Sequence, residues 1–145
     1  MVVDVLPERR AVPGHRSLPG PGEAGSVRWW NAAPGTLVAE LRGEIDLLTA
    51  PAVSEGLAAL ARRGPDRLVV DLRPVTFLDC SGLRPLCRAH ALMAGRGGRL
   101  SLVAGSPRVL RVLRLARALP AFTLHPDLAG ALAEPIGPAH APVRP

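Results

Sequence analysis

The chain has no lysine and no tyrosine, and its 145 residues include only two cysteines, two tryptophans and two phenylalanines. Each scarcity excludes something. Without lysine there is no G-x-x-x-x-G-K-[ST] loop, and no G-x-G-x-x-G opens a helix, so the common phosphate cradles are missing. Two cysteines, Cys80 and Cys87, make no disulfide framework. Cys87 and His90 stand at C-x-x-H spacing, but one such pair lacks the further ligands of a zinc site, and neither a metal nor another cofactor is expected. No apolar run reaches the roughly 18 residues of a membrane helix. The opening Met1–Glu8 has no basic segment ahead of a sustained apolar stretch, so no secretory leader is expected. These absences together describe a cytoplasmic chain with reduced thiols and no membrane contact.

What is present is equally skewed. All 18 basic residues are arginine, and Ala, Gly, Pro and Leu dominate, as a GC-rich coding sequence would give. The net charge of +6 is therefore modest evidence for an anionic partner. Residues 1–26 carry Pro7, Pro13, Pro19 and Pro21 among Gly14, Gly20, Gly22 and Gly25, with no apolar period, and read as a disordered arm. Residues 134–145 hold four prolines and read the same way. Residues 27–133 then form one domain, and roughly 110 ordered residues bury about two-thirds of their unfolded surface, enough for an independent core.

Within that domain the pattern alternates between strand and helix. Val27–Asn31 and Thr36–Arg42 flank Pro34-Gly35, which predicts an opening β-hairpin. Trp29 and Trp30 are adjacent, so on a strand they point to opposite faces, one into the core and one over an edge. Thr49-Ala50-Pro51 predicts a helix start, with Val53, Leu57, Leu60 and Ala61 at helical spacing until Gly64-Pro65. Leu68–Leu72 reads as a strand covered on both faces, broken at Arg73-Pro74. Leu83, Leu86, Cys87, His90, Ala91 and Ala94 recur on one face of a second helix ending near Gly95, which places Cys87 in the core. Pro85 puts that helix's N-cap near Ser81 or Gly82. A strand at Arg99–Ala104, a helix from Ser106-Pro107 to Pro120, a strand at Phe122–His125 and a helical turn at Asp127–Ala133 complete the series. The sum is an α/β fold: a small mixed sheet, an N-terminal hairpin, then β-α repeats with parallel strands and helices packed on the sheet.

The chemistry concentrates in Asp79-Cys80-Ser81-Gly82, at a turn from apolar sequence into a helix. A cysteine nucleophile needs a base in reach. His15 and His140 fall in the arms, and His90 lies about ten residues along the helix, roughly 15 Å from Cys80 at 1.5 Å per residue. A phosphatase-type loop would need Arg where Leu86 stands, and Arg84 has the wrong spacing. Glu44 and Asp46 are two apart, so on a strand they share a face, but nothing joins them into a pocket. The chain is therefore not expected to be an enzyme. Small residues at a helix start expose N–H groups and present side chains to another protein, and a modification there changes charge at a contact. Arg108, Arg111, Arg114 and Arg117 lie opposite Val109, Val112, Leu113, Ala116 and Leu119, the pattern of an amphipathic helix with a solvated basic face. Without neighbouring aromatics to stack bases, direct nucleic-acid binding is not expected.

The segments LRGEIDLLTAP, LVVDLRPVTFLDCSGLRPL and SPRVLRVLRLARALPAF resemble, in order and spacing, the STAS-domain family, and within it the bacterial anti-sigma-factor antagonists. The resemblance spans about residues 27–133. It implies a small α/β domain that regulates transcription by binding an anti-sigma factor, usually one with an ATP-binding kinase fold, and so frees a sigma factor. It implies partner contacts at Glu44, Asp46, Asp79, Cys80, Ser81, Gly82 and Arg84. The family's phosphoacceptor Ser or Thr directly follows the motif aspartate, and here that position is Cys80, with Ser81 one residue further on. A thiol is not the substrate of a Ser/Thr kinase, so phosphorylation control is expected to be lost or changed. Cys80 also raises the prospect of redox control, which a helix N-terminus favours and the adjacent Asp79 opposes. Two further readings stay open: a divergent STAS module that senses a nucleotide or acts as a scaffold, and a thiol-dependent redox protein.

Overall fold

The computed structural model describes residues 26–116 and 122–135, together with the backbone of a short strand at 16–18. The strands β1 (Arg16–Leu18), β2 (Ser26–Ala33) and β3 (Thr36–Ile45) make an antiparallel ribbon. The β2–β3 hairpin turns at Pro34-Gly35, where Gly35 has φ 78°, a region glycine enters without the Cβ penalty. β1 falls inside the segment read as an arm, yet its residues pair with Val27–Trp29. The remainder of that arm, and residues 136–145, lie outside the described residues.

Helix α1 (Ala50–Arg62) follows, then β4 (Arg67–Asp71), β5 (Val75–Leu78), a 3-10 turn (Cys80–Gly82) and α2 (Leu83–Gly95). β6 (Arg99–Val103), α3 (Pro107–Leu115), β7 (Thr123–His125) and α4 (Leu128–Ala133) complete the order. The sheet runs β1-β2-β3-β4-β6-β7, with β5 joined to the far end of β3. From β3 onward every described pairing is parallel, as β-α repeats require. The expected mixed sheet with an N-terminal hairpin and covering helices is the observed architecture.

The sheet separates two unequal cores. Leu68 and Val70 of β4 face one side with Leu57 and Leu60 of α1, Leu86 and Met93 of α2, and Val109 and Leu113 of α3. Val69 faces the other side with Trp30, Val38 and Val103, covered by Leu128 and Ala131 of α4. Burial on both faces is why β4 reads as a continuous apolar run. Trp29 and Trp30 do point to opposite faces, but neither covers an edge. Both are buried, Trp29 in the larger core and Trp30 at the centre of the smaller one.

The smaller face also carries charge. Arg67, itself buried, donates to the carbonyls of Ala131, Leu132 and Glu134 and so caps α4 from the strand beneath it. The Glu134 carboxylate meets Arg99 at 3.4 Å and His125 at 2.9 Å. The buried Asp71 carboxylate accepts from Arg73 Nε and Nη2, and this hydrogen bonding holds the Arg73 guanidinium above its usual range.

Three expectations need correction. β5 was absent from the sequence reading, because Arg73-Pro74 looked like the end of a strand rather than a step between two. α3 ends at Leu115, ahead of the Pro120 stop, and residues 117–121, with Arg117 and Leu119, lie outside the described residues. α2 buries Leu83, Pro85, Leu86, Ala89 and Met93, while Cys87, Ala91 and Ala94 are exposed. Its buried stripe is rotated toward α1, since α2 packs on a helix as well as on the sheet.

Candidate docking face

Two strand-to-helix turns meet at one end of the sheet. β3 and β5 run parallel, with Glu44 beside Phe77 and Ile45 beside Leu78, and Asp79 N–H donates to the Ile45 carbonyl at 3.3 Å. The β3–β5 register shifts between Gly43 and Glu44, where Thr76 is the extra residue on β5, and Gly43, φ 80°, donates its N–H to Pro74 O.

The first turn, Asp46–Thr49, is held by its own side chains. Asp46 Oδ1 accepts from Leu48 N–H at 3.0 Å and Thr49 N–H at 3.2 Å. The Thr49 hydroxyl donates to Glu44 O at 2.9 Å and accepts from Asp46 N–H at 3.0 Å. Thr49 is the N-cap residue of α1, but its hydroxyl fastens the preceding loop rather than a helical N–H. Asp46 therefore lies past the end of β3, with its carboxylate committed to the turn. It does not share a strand face with Glu44, which stays exposed on β3.

The second turn, Asp79–Gly82, is simpler. Asp79 Oδ1 accepts from Ser81 N–H at 2.8 Å, and Gly82 N–H donates to Asp79 O at 3.0 Å. Gly82 is the N-cap residue of α2, as the position of Pro85 predicted. Its φ of −74° would suit any residue. Glycine is required for space: a Cβ there would lie 2.4 Å from Leu78 Cδ1 and 2.9 Å from Ile45 Cγ2. Cys80 is exposed and Ser81 half-buried. Cys87, expected in the core, is also exposed, and both thiols are free. His90 lies edge-on to Phe122, ring centroids 5.3 Å apart.

Between the two helix starts is a shallow groove of about 200 Å³, lined by Leu47, Ala50, Pro51, Ser54, Ser81, Arg84 and Pro85. Arg88 of α2 ties the two helices together next to it, donating to Ser54 Oγ at 3.0 Å and pairing with Glu55 at 3.1 Å. The structure thus brings Glu44, Asp46, Asp79, Cys80, Ser81, Gly82 and Arg84 to one end of the molecule, with Gly82 buried beneath it as packing. The sequence reading missed the apolar part of this face. Leu47 is 72% exposed, Leu48 85% and Phe77 48%. The signal was the Leu47-Leu48 pair, which fits neither the alternation of β3 nor the helical stripe of α1.

The profile of the STAS domain family matches residues 31–131. This chain belongs to the STAS-domain family. The STAS chain is 36% identical over 100 residues to the anti-sigma-F factor antagonist RsfB of Mycobacterium tuberculosis, a match covering 66% of this chain and 81% of that protein. A crystal structure of an anti-sigma factor antagonist from Mycobacterium paratuberculosis superposes with a TM-score of 0.67 at 30% identity, covering 79% of this chain and 96% of that one. A structure from Thermotoga maritima, a putative anti-sigma factor antagonist, has a TM-score of 0.66 at 16% identity over 72% and 89% of the two chains, and shares the fold. In this STAS domain no helix among the described residues is long and apolar enough to cross a membrane.

Proposed function

We propose that this STAS domain is a cytoplasmic anti-sigma-factor antagonist, which binds an anti-sigma factor and thereby frees a sigma factor for transcription. The names of its relatives support the partner class. The observation that carries the reading is the face itself: exposed Leu47, Leu48 and Phe77 around two turns whose backbones are fixed by Asp46 and Asp79. Exposed apolar side chains on a backbone that needs no further ordering suit association, because little conformational entropy is lost on docking. The domain acts by contact rather than catalysis. Its partner has an ATP-binding kinase fold, and Cys80 occupies the position that such a kinase would modify. A thiol there leaves the antagonist constitutive or places it under a different control.

Affinity capture from lysate of the source organism tests this, with Asp79→Arg as the control. An anti-sigma factor retained by the wild type and lost with the variant is the expected result. Capture of no anti-sigma factor across several growth conditions would overturn the reading. Incubation with the recovered kinase and ATP, followed by intact-mass measurement, is expected to leave the mass unchanged. A stoichiometric phosphate would reject the constitutive form of the proposal.

A further inference from the structure

We infer that the groove between the starts of α1 and α2 receives one acidic side chain of the partner, of glutamate type, with Arg84 as its counter-charge. The inference rests on the antagonist reading above and specifies how the partner is recognised. Its first support is size. At about 200 Å³ the groove falls below the roughly 300–1,000 Å³ of sites that enclose small-molecule ligands, so it suits a single side chain rather than a nucleotide. Its second support is the composition of the walls. Leu47, Ala50, Pro51 and Pro85 offer an apolar slot for a methylene stem, while Ser54, Ser81 and Arg84 supply the polar end.

The third support is the contrast between two arginines one helical turn apart on α2. Arg88 is committed to Ser54 and Glu55 and acts as a brace between the helices. Arg84, exposed beside the groove, has no hydrogen bond or ion pair among the described residues. A guanidinium offers a planar fork of donors that matches a carboxylate in bidentate fashion. The Arg88 brace and the Asp46–Thr49 network fix both walls before any partner arrives.

The test is calorimetric titration of the recovered anti-sigma factor with the full chain, comparing wild type, Arg84→Glu and Pro51→Glu. Both positions are in the first turn of a helix, where a negative charge is favourable, so loss of binding is not explained by loss of fold. Each variant is expected to bind at least tenfold more weakly. Arg84→Glu is also expected to regain affinity against a partner whose groove-entering acid is changed to arginine. Wild-type affinity in both variants overturns the groove assignment while leaving the antagonist reading intact. Tighter binding by Arg84→Glu overturns it as well, since the entering group would then be basic. A wild-type chain that binds no anti-sigma factor overturns the antagonist reading, and the groove assignment with it.

Discussion

The two turns that build the candidate docking face solve the same problem differently. Each leaves a strand, uses an aspartate to hold backbone N–H groups, and enters a helix whose first turn contains proline. Asp46–Thr49 is held by a closed set of hydrogen bonds between Asp46, Thr49 and Glu44 O, and it projects two leucines outward. Asp79–Gly82 has one side-chain bond and otherwise depends on Gly82 fitting against Leu78 and Ile45. The first turn is specified by polar chemistry and the second by the absence of a side chain. Changes at the side chains of exposed Cys80 and half-buried Ser81, which hold no part of the turn, therefore leave its scaffold untouched, whereas a change at Gly82 does not.

Substitutions can break this contrast. The largest effect is expected for Gly82→Ala, whose Cβ must displace Leu78 and Ile45, both buried, at a cost of about 3 kcal/mol by the overpacking range. Chemical denaturation checks this, and a stable Gly82→Ala protein would mean that the second turn adapts. Thr49→Val keeps the shape of the first turn but removes a hydroxyl that both donates and accepts, so about 2 kcal/mol is expected in the same assay. Asp79→Ala loses the bond by which Asp79 caps the 3-10 turn, for about 1 kcal/mol. Leu48→Ser sharpens the comparison from the other side. Stability is expected to change by less than about 0.5 kcal/mol, since Leu48 is solvent-exposed, while affinity for the anti-sigma factor falls. Unchanged affinity would remove Leu48 from the contact.

The sequence revealed these regions unevenly. The hairpin, α1, β4 and the α2 start were legible because each has its own punctuation: Pro34-Gly35, Pro51, Gly64-Pro65, Arg73-Pro74 and Pro85. β5 was not legible. It has four residues, its middle pair Thr76 and Phe77 is exposed, and its register on β3 shifts at Thr76, so no local period announces it. The orientation of α2 was misread because Cys87, Ala91 and Ala94 are small and apolar enough to imitate a core stripe. The burial of Pro85 and Ala89 in the fold reveals the true one. Among the candidate site residues, the ionic and hydroxyl groups were visible from the motif. Leu47, Leu48 and Phe77 were hidden, since an exposed apolar side chain has no signature until the fold shows what fails to cover it.

The placement of the tryptophans has a spectroscopic consequence. With tyrosine absent from the chain, near-ultraviolet emission comes almost entirely from Trp29 and Trp30, and the two rings lie on opposite faces of the sheet. Trp29 lies in the larger core with the Arg63 guanidinium 4.6 Å from its ring, while Trp30 sits in the smaller core that α4 covers. Trp29 is paired with Ala39, six residues before the end of β3, about 20 Å along the strand from the docking face. The chain thus carries one optical reporter for each side of its sheet and none at its candidate docking face. Docking of a partner at Leu47 and Phe77 leaves the emission dark to the event, whereas departure of α4 would unveil Trp30 alone.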